Sequence, residues 1–310
     1  MTASARGYRL GVVGCGAVGS TFAYTALIRG LAQELVLIDI NRDKALGDAL
    51  DMSHGAPFVP PCRVVAGDYP DLAGCQVVVI AAGVAQRPGE TRLQLLQRNA
   101  QVMAEVVPAI VRHAPDAILL VATNPVDILA YQAHKISGLP VERVVGSGTL
   151  LDTARFRYRI GQELGIHPRS VHAYIIGEHG DSEVPVWSGT TVAGSPLGDK
   201  PPLGLTPEQR KAIFVETRDA AYRIIAAKGA TYYAIALALA RICEAILGDE
   251  NSVLTVSTLV PQYGVYMGMP CVVGRHGARG PLPLTLRPEE QQALDRSAAI
   301  LKETIQALGL

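Results

Sequence analysis

The sequence predicts an α/β protein: an N-terminal doubly wound parallel sheet followed by a second, mixed α+β domain. Three observations carry this expectation. Short, almost unbroken apolar runs alternate with segments of helical apolar spacing through the first half, the pattern of strands buried on both faces and covered by helices. A glycine-rich turn joins the first such strand directly to the first helix. The 310 residues suffice for about two domains, and the patterning changes after Gly146-Ser147-Gly148, dividing the chain into residues 1–147 and 148–310.

Taken in order, residues 9–13, 34–39, 77–82 and 117–123 are the apolar strands of the first half, and 18–30, 44–53 and 93–113 the helices between them. Strand, helix, strand is the order of a doubly wound sheet. In the second half a helix runs from Leu150 to about Gly165, and strands follow at 171–176 and 184–192. A Pro/Gly-rich stretch at 194–206 precedes one long helix reaching Lys228. A helix at 231–247, strands at 252–260 and 270–273 and a closing helix at 288–307 complete the chain.

Lys plus Arg and Asp plus Glu number 28 each. That balance removes the electrostatic footprint of a nucleic-acid binder or a polybasic membrane-surface protein, and leaves a small molecule or a second copy of the chain as the expected partner. Apolar runs such as 77–85 and 232–240 fall well short of the roughly 18 residues that span a bilayer. The five cysteines, Cys15, Cys62, Cys75, Cys243 and Cys271, are odd in number and lack paired metal-type spacing, so reduced thiols, a cytoplasmic location and no metal are expected.

Gly14-Cys15-Gly16-Ala17-Val18-Gly19 follows the first strand and opens a helix. In that context the glycines allow a tight turn, close backbone approach to a pyrophosphate and helix–strand packing, while the helix N-terminus supplies N–H groups for the anion. The same six residues also describe an ordinary glycine turn. The second strand ends at Asp39, about twenty residues further on, where a carboxylate accepts hydrogen bonds from the adenosine ribose and repels a 2′-phosphate, favouring NAD over NADP. A turn or helix-cap acid ahead of Asn41 is the other reading of Asp39.

His179 lies in the polar, glycine-flanked stretch Gly177-Glu178-His179-Gly180-Asp181-Ser182, after the apolar run 171–176. A fixed, partly exposed imidazole gives or takes a proton near neutral pH without a large environmental shift. A single histidine is more often a surface or satisfied core residue, so the reading needs partners. Arg155 follows Asp152 by three residues on one predicted helix, hence on the same face, and alone this spacing describes an intrahelical ion pair worth about 0.2–0.5 kcal/mol.

With these blocks, Ala85-Gln86-Arg87-Pro88-Gly89-Glu90-Thr91-Arg92, Thr123-Asn124-Pro125-Val126-Asp127 and Leu151-Asp152-Thr153-Ala154-Arg155 in order, the chain resembles the L-lactate dehydrogenases of the lactate/malate dehydrogenase family along essentially its whole length. The resemblance implies a Rossmann-type NAD-binding domain, a substrate domain, and NADH-dependent reduction of pyruvate to (S)-lactate and its reverse. It assigns His179 as proton donor, Asp152 as the carboxylate orienting it, Arg155 as the grip on the substrate carboxylate and Arg92, on a mobile lid, as the group polarising the carbonyl. It adds Asn124, Gln86 and Thr231 as substrate contacts, and Val18, Gly83, Val84, Asn124, Ser147 and Ile235 beside Gly14, Gly16, Gly19 and Asp39 as cofactor contacts. Taken alone, Arg92 reads as a surface residue starting a helix and Asn124 as an Asn-Pro turn.

Within the family, the lid residue two before Pro88 separates the substrates: an arginine there pairs the second carboxylate of oxaloacetate, and this chain has Gln86. Thr231, beside the substrate methyl, also suits pyruvate. A lactate-dehydrogenase-like malate dehydrogenase is the competing enzyme; a non-catalytic NAD sensor would keep the glycine loop and Asp39 without His179, Asp152, Arg155 and Arg92. An NAD-dependent glycosidase would show Cys/His metal ligands. Arg157, about 200° around the helix from Arg155, and His172 match positions that bind fructose 1,6-bisphosphate across a subunit interface in bacterial members. The resemblance thus implies this effector and a homotetramer; a surface arginine and an interface histidine without ligand is the plainer reading of the pair.

Overall fold

The computed structural model describes residues 7–84, 89, 91–200 and 203–310, with the Arg92 side chain outside the description. The first half contains β1 (Arg9–Val13), α1 (Ala17–Arg29), β2 (Glu34–Ile38), α2 (Arg42–His54), β3 (Arg63–Ala66), β4 (Val77–Ile80), α3 (Arg92–His113), β5 (Ile118–Val121), α4 (Val126–Ser137) and β6 (Val144–Gly146). These strands pair parallel in the order β3-β2-β1-β4-β5-β6. Every residue of β4 and β5 is buried, as expected of strands covered on both faces.

Local chemistry sets the ends. Thr91 and Gln94 form a capping box at the start of α3, and Asn41 caps α2 by accepting the Lys44 N–H. The chain reverses direction in strand order between β1 and β4, and doubly wound folds take their ligands at the carboxyl ends of the strands at such a point.

The second half contains α5 (Leu150–Leu164), β7 (Val171–His172), β8 (Ile175–Ile176), β9 (Val184–Pro185), β10 (Thr191–Val192), β11 (Ser195–Pro196), α6 (Pro207–Arg218), α7 (Ala220–Lys228), α8 (Tyr233–Leu247), β12 (Ser252–Val260), β13 (Val265–Gly274), β14 (Gly277–Pro281) and α9 (Pro288–Ala307). The antiparallel ribbon β12-β13-β14 continues the large sheet, joining it where Ser257 faces Gly146. One core cluster runs through the sheet and the helices on it; a smaller one gathers Phe156, Ile160, Val171, Ile175 and Ile213.

Several elements depart from the sequence expectation. The apolar run 171–176 is two short strands that pair with different partners, β7 with β10 and β8 with β9. The expected strand at 184–192 likewise survives only at its two ends. The single helix expected up to Lys228 breaks at Asp219, whose carboxylate pairs with Arg218 and whose backbone leaves no glycine or proline signature. Residues 270–273 are the end of the longer β13, which the internal Gly268 and Pro270 disguise. Helix α4 is not among the elements expected from the sequence; its first residues, Val126–Ala130, are buried throughout. Edge strand β3, with only Val64 buried, and the three-residue β6 were too short to register.

Candidate active site

The cofactor candidates from all parts of the first half meet at one rim. Gly14 follows β1, Asp39 follows β2, Gly83 and Val84 follow β4, Asn124 follows β5 and Ser147 follows β6. Parallel strands deliver these residues to the same edge of the sheet, which is where a doubly wound fold binds its ligand. At Gly14, φ is 97° and an added Cβ would lie 2.4 Å from the Ala82 nitrogen, so the turn closes against the segment after β4. At Gly16 the same atom would meet nothing within 4 Å, which leaves the backbone open to a ligand at the N-terminus of α1.

Asp39 is held by two backbone N–H groups, Cys15 to Oδ2 at 2.7 Å and Asn41 to Oδ1 at 2.8 Å. The turn reading of this residue is present in the geometry: it organises the turn before Asn41, and it also ties the glycine loop to β2. A carboxylate offers about four lone-pair sites, so two accepted bonds leave it able to take ribose hydroxyls. Val18 is half-buried at the start of α1, and Ile235 packs against the core from α8. The open Gly16, the fixed Asp39 carboxylate and the exposed Gly83 fit a dinucleotide.

The chemistry-bearing residues converge from α5 and the loop after β8. His179 Nδ1 lies 2.5 Å from Asp152 Oδ2, and Arg155 Nη1 donates to Asp152 Oδ1 at 2.9 Å. Asp152 is buried, whereas the His179 side chain keeps 24 % of its surface exposed, enough to meet a ligand. The i, i+3 ion pair expected from spacing alone thus exists; it uses one of the five N–H donors of a guanidinium.

Electrostatics follow from this packing. Burial alone would lower the imidazole pKa of His179, but the charge and hydrogen bond of Asp152, with the charge of Asp127 behind, raise it to about 9. Burial alone would raise Asp152, and His179 and Arg155 instead hold it below the usual carboxylate range. The site therefore keeps an imidazolium at neutral pH, with its Nδ1 side committed to Asp152.

Two residues that the motif reading did not single out hold the arrangement together. Asp127, buried on α4, accepts the backbone N–H of His179 at 2.7 Å and the Ser257 hydroxyl at 2.6 Å. Asn99, buried on α3, accepts the Val84 N–H at 2.8 Å and donates to the Asn124 carbonyl at 3.0 Å, linking two strand ends of the rim. On the far side of the histidine loop, Ser297 of α9 accepts the Glu178 N–H at 2.8 Å, and the Ser182 hydroxyl donates to the Glu178 carboxylate. A buried polar residue inside a helical motif was the one available signal for Asp127 and Asn99.

The remaining candidates stand as follows. Thr231 is half-buried two residues before α8, and Asn124 is exposed beyond β5. Arg92 is the first residue of α3, its side chain outside the description, and Gln86 lies outside the described residues. Arg157 donates through Nε to the Ala173 carbonyl at 2.8 Å and lies over the Tyr174 ring at 5.3 Å, which brings it to the strand carrying the exposed His172. Among the described residues no group of three or more His, Cys, Asp or Glu is placed to hold a metal ion, and no helix is long and apolar enough to cross a membrane.

Residues 8–146 match the lactate/malate dehydrogenase NAD-binding domain, and residues 149–308 the α/β C-terminal domain of the same family. The chain belongs to the lactate/malate dehydrogenase family, and is an NAD-dependent 2-hydroxy-acid dehydrogenase. Within that family its relatives include the L-lactate dehydrogenase of Thermus aquaticus, 53% identical with 97% of this chain and 99% of that protein covered. The L-lactate dehydrogenase of a Thermoanaerobacter species is 52% identical over the same shares of the two chains. The crystal structure of the minor L-lactate dehydrogenase from Enterococcus mundtii superposes with a TM-score of 0.94 at 41% identity, covering 97% of this chain and 98% of that one.

Proposed function

We propose that this enzyme is an L-lactate dehydrogenase that reduces pyruvate to (S)-lactate and runs the reverse reaction. The observation that carries the reading is the Asp152 carboxylate shared between His179 and Arg155. Bound NADH supplies the hydride for the carbonyl carbon. His179, protonated because Asp152 stabilises its charge, donates its Nε2 proton to the carbonyl oxygen; Arg155 holds the substrate carboxylate bidentately. Arg92, closing over the substrate, stabilises the developing alkoxide where water is excluded. In the reverse direction neutral His179 accepts the hydroxyl proton. Gly14, Gly16, Val18, Gly19, Asp39, Gly83, Val84, Asn124, Ser147 and Ile235 hold the cofactor.

Asn124 and Thr231 complete the substrate contacts, and Gln86 in place of an arginine directs the lid toward a monocarboxylate. Residues 1–147 carry the cofactor contacts other than Ile235, together with Gln86, Arg92 and Asn124, and 148–310 carry Asp152, Arg155, His179 and Thr231. Arg157 and His172 form half of a fructose 1,6-bisphosphate site completed by a second subunit of a cytoplasmic homotetramer, where the guanidinium and the imidazole of each subunit hold the bisphosphate. The fixing of Arg157 against the strand of His172 supports this pairing. Pyruvate-dependent NADH oxidation tests the activity, and titration of the sugar bisphosphate at subsaturating pyruvate tests the effector: a lowered KM is expected, and a flat titration contradicts it.

A further inference from the structure

Glu183 immediately precedes β9, four residues beyond His179, and takes no part in the chemistry described above. Its residue is only 6% exposed, and its Oε1, shut off from water, has no hydrogen-bond partner among the described residues. A buried carboxylate left in that condition is costly, and protonation removes most of the cost. The hydrogen bonds of the two guanidinium groups that act on it go to other carboxylates: Arg155 donates to Asp152 at 2.9 Å, and Arg218, at the end of α6, donates to Asp219 at 2.8 Å.

The charged groups that face Glu183 are Asp152 and Arg155 from α5, His179 from its own loop and Arg218 from α6. Burial first, and then the negative charge of Asp152, push the Glu183 carboxyl up to about 9 against the pull of the three cations. With Glu183 neutral, the three groups of the cluster, imidazolium, Asp152 carboxylate and guanidinium, sum to one positive charge, which matches the single negative charge of a 2-oxo monocarboxylate; the Asp127 carboxylate lies behind them, on the His179 backbone N–H and the Ser257 hydroxyl. An ionised Glu183 would cancel it.

We propose that Glu183 is the charge-setting residue of the substrate site: as a buried neutral acid it leaves the His179–Asp152–Arg155 cluster one net positive charge for the substrate carboxylate, and its ionisation withdraws that charge. The inference rests on the reading of Arg155 as the carboxylate anchor. It makes substrate affinity depend on two protons, one on His179 and one on Glu183, where the reaction itself consumes only the first.

The test is the pH dependence of the pyruvate KM for the full enzyme at saturating NADH, in the wild type and in Glu183→Gln. In the wild type log KM should climb at alkaline pH with a limiting slope approaching two, and in the variant with a slope of about one. Parallel profiles would overturn the proposal. Difference infrared spectroscopy between the same two proteins at neutral pH gives a readout without turnover: the wild type should show the carbonyl stretch of a protonated carboxylic acid that the variant lacks. Glu183→Leu, apolar and of similar bulk, replaces the amide variant if that does not fold. A wild type that reduces pyruvate but lacks the band overturns the proposal. A wild type that shows the band but reduces no pyruvate contradicts the substrate reading instead.

Discussion

The carboxylate of Asp127 accepts the backbone N–H of His179 at 2.7 Å, reaching from the helix after β5 into the loop that carries the imidazole. Its other oxygen takes the Ser257 hydroxyl at 2.6 Å. Three segments far apart in sequence are thereby pinned at one buried point. In Asp127→Ala both donors lose their acceptor, which should cost about 1–3 kcal/mol of stability for each. Denaturant unfolding should report that loss, and kcat should fall with it because the His179 backbone is no longer fixed; wild-type stability in the variant would contradict the role.

Asp152 controls the protonation of His179. The imidazole value is raised from 6.5 to about 9, so the proton donor for pyruvate reduction persists at neutral pH and is lost as pH rises through about 9, while lactate oxidation gains over the same range. The linked stability contribution is fully present below 6.5 and disappears as pH rises through about 9. Asp152→Asn should move the alkaline limb of kcat/KM for pyruvate to lower pH and reduce its plateau by about 10²–10⁴-fold. An unmoved limb would separate Asp152 from the proton chemistry.

At Asp39 the carboxylate braces the Cys15 turn, and in the proposed cofactor site it also accepts the ribose hydroxyls. Asp39→Ser should raise the NADH KM and shift the NADPH-to-NADH ratio of kcat/KM upward by about tenfold or more, the worth of a lost charged hydrogen bond. Steady-state kinetics with both cofactors decide it; an unchanged ratio would leave Asp39 as a turn residue alone.

Gln86 supplies the test of substrate choice. Gln86→Arg should raise oxaloacetate reduction relative to pyruvate by about tenfold or more, the scale of one charge-assisted hydrogen bond to the second carboxylate. Unchanged selectivity would remove the lid residue from the discrimination.

What the sequence disclosed depended on whether the cause was local. Strand β1 at 9–13, β12 at 252–260 and α9 at 288–307 coincide with their expected limits, because periodicity and end signals reside in the segment itself. The glycine loop and Asp39 were legible for the same reason. Asp127, Asn99 and Glu183 were not: their significance lies in a backbone N–H 52 residues away, in two strand ends joined across the rim, and in a burial that leaves Oε1 unpartnered. The split of 171–176 was hidden because pairing with two different partners, and no local residue signal, decides it, and the break at Asp219 carries no glycine or proline.

The central claim is tested most directly by kcat/KM for pyruvate and oxaloacetate with NADH and with NADPH, each with and without fructose 1,6-bisphosphate. Pyruvate with NADH should exceed oxaloacetate with NADH by on the order of 10²-fold or more, with NADPH poorer for either acid and a lower pyruvate KM when the bisphosphate is present. Oxaloacetate reduced as well as or better than pyruvate would contradict the account.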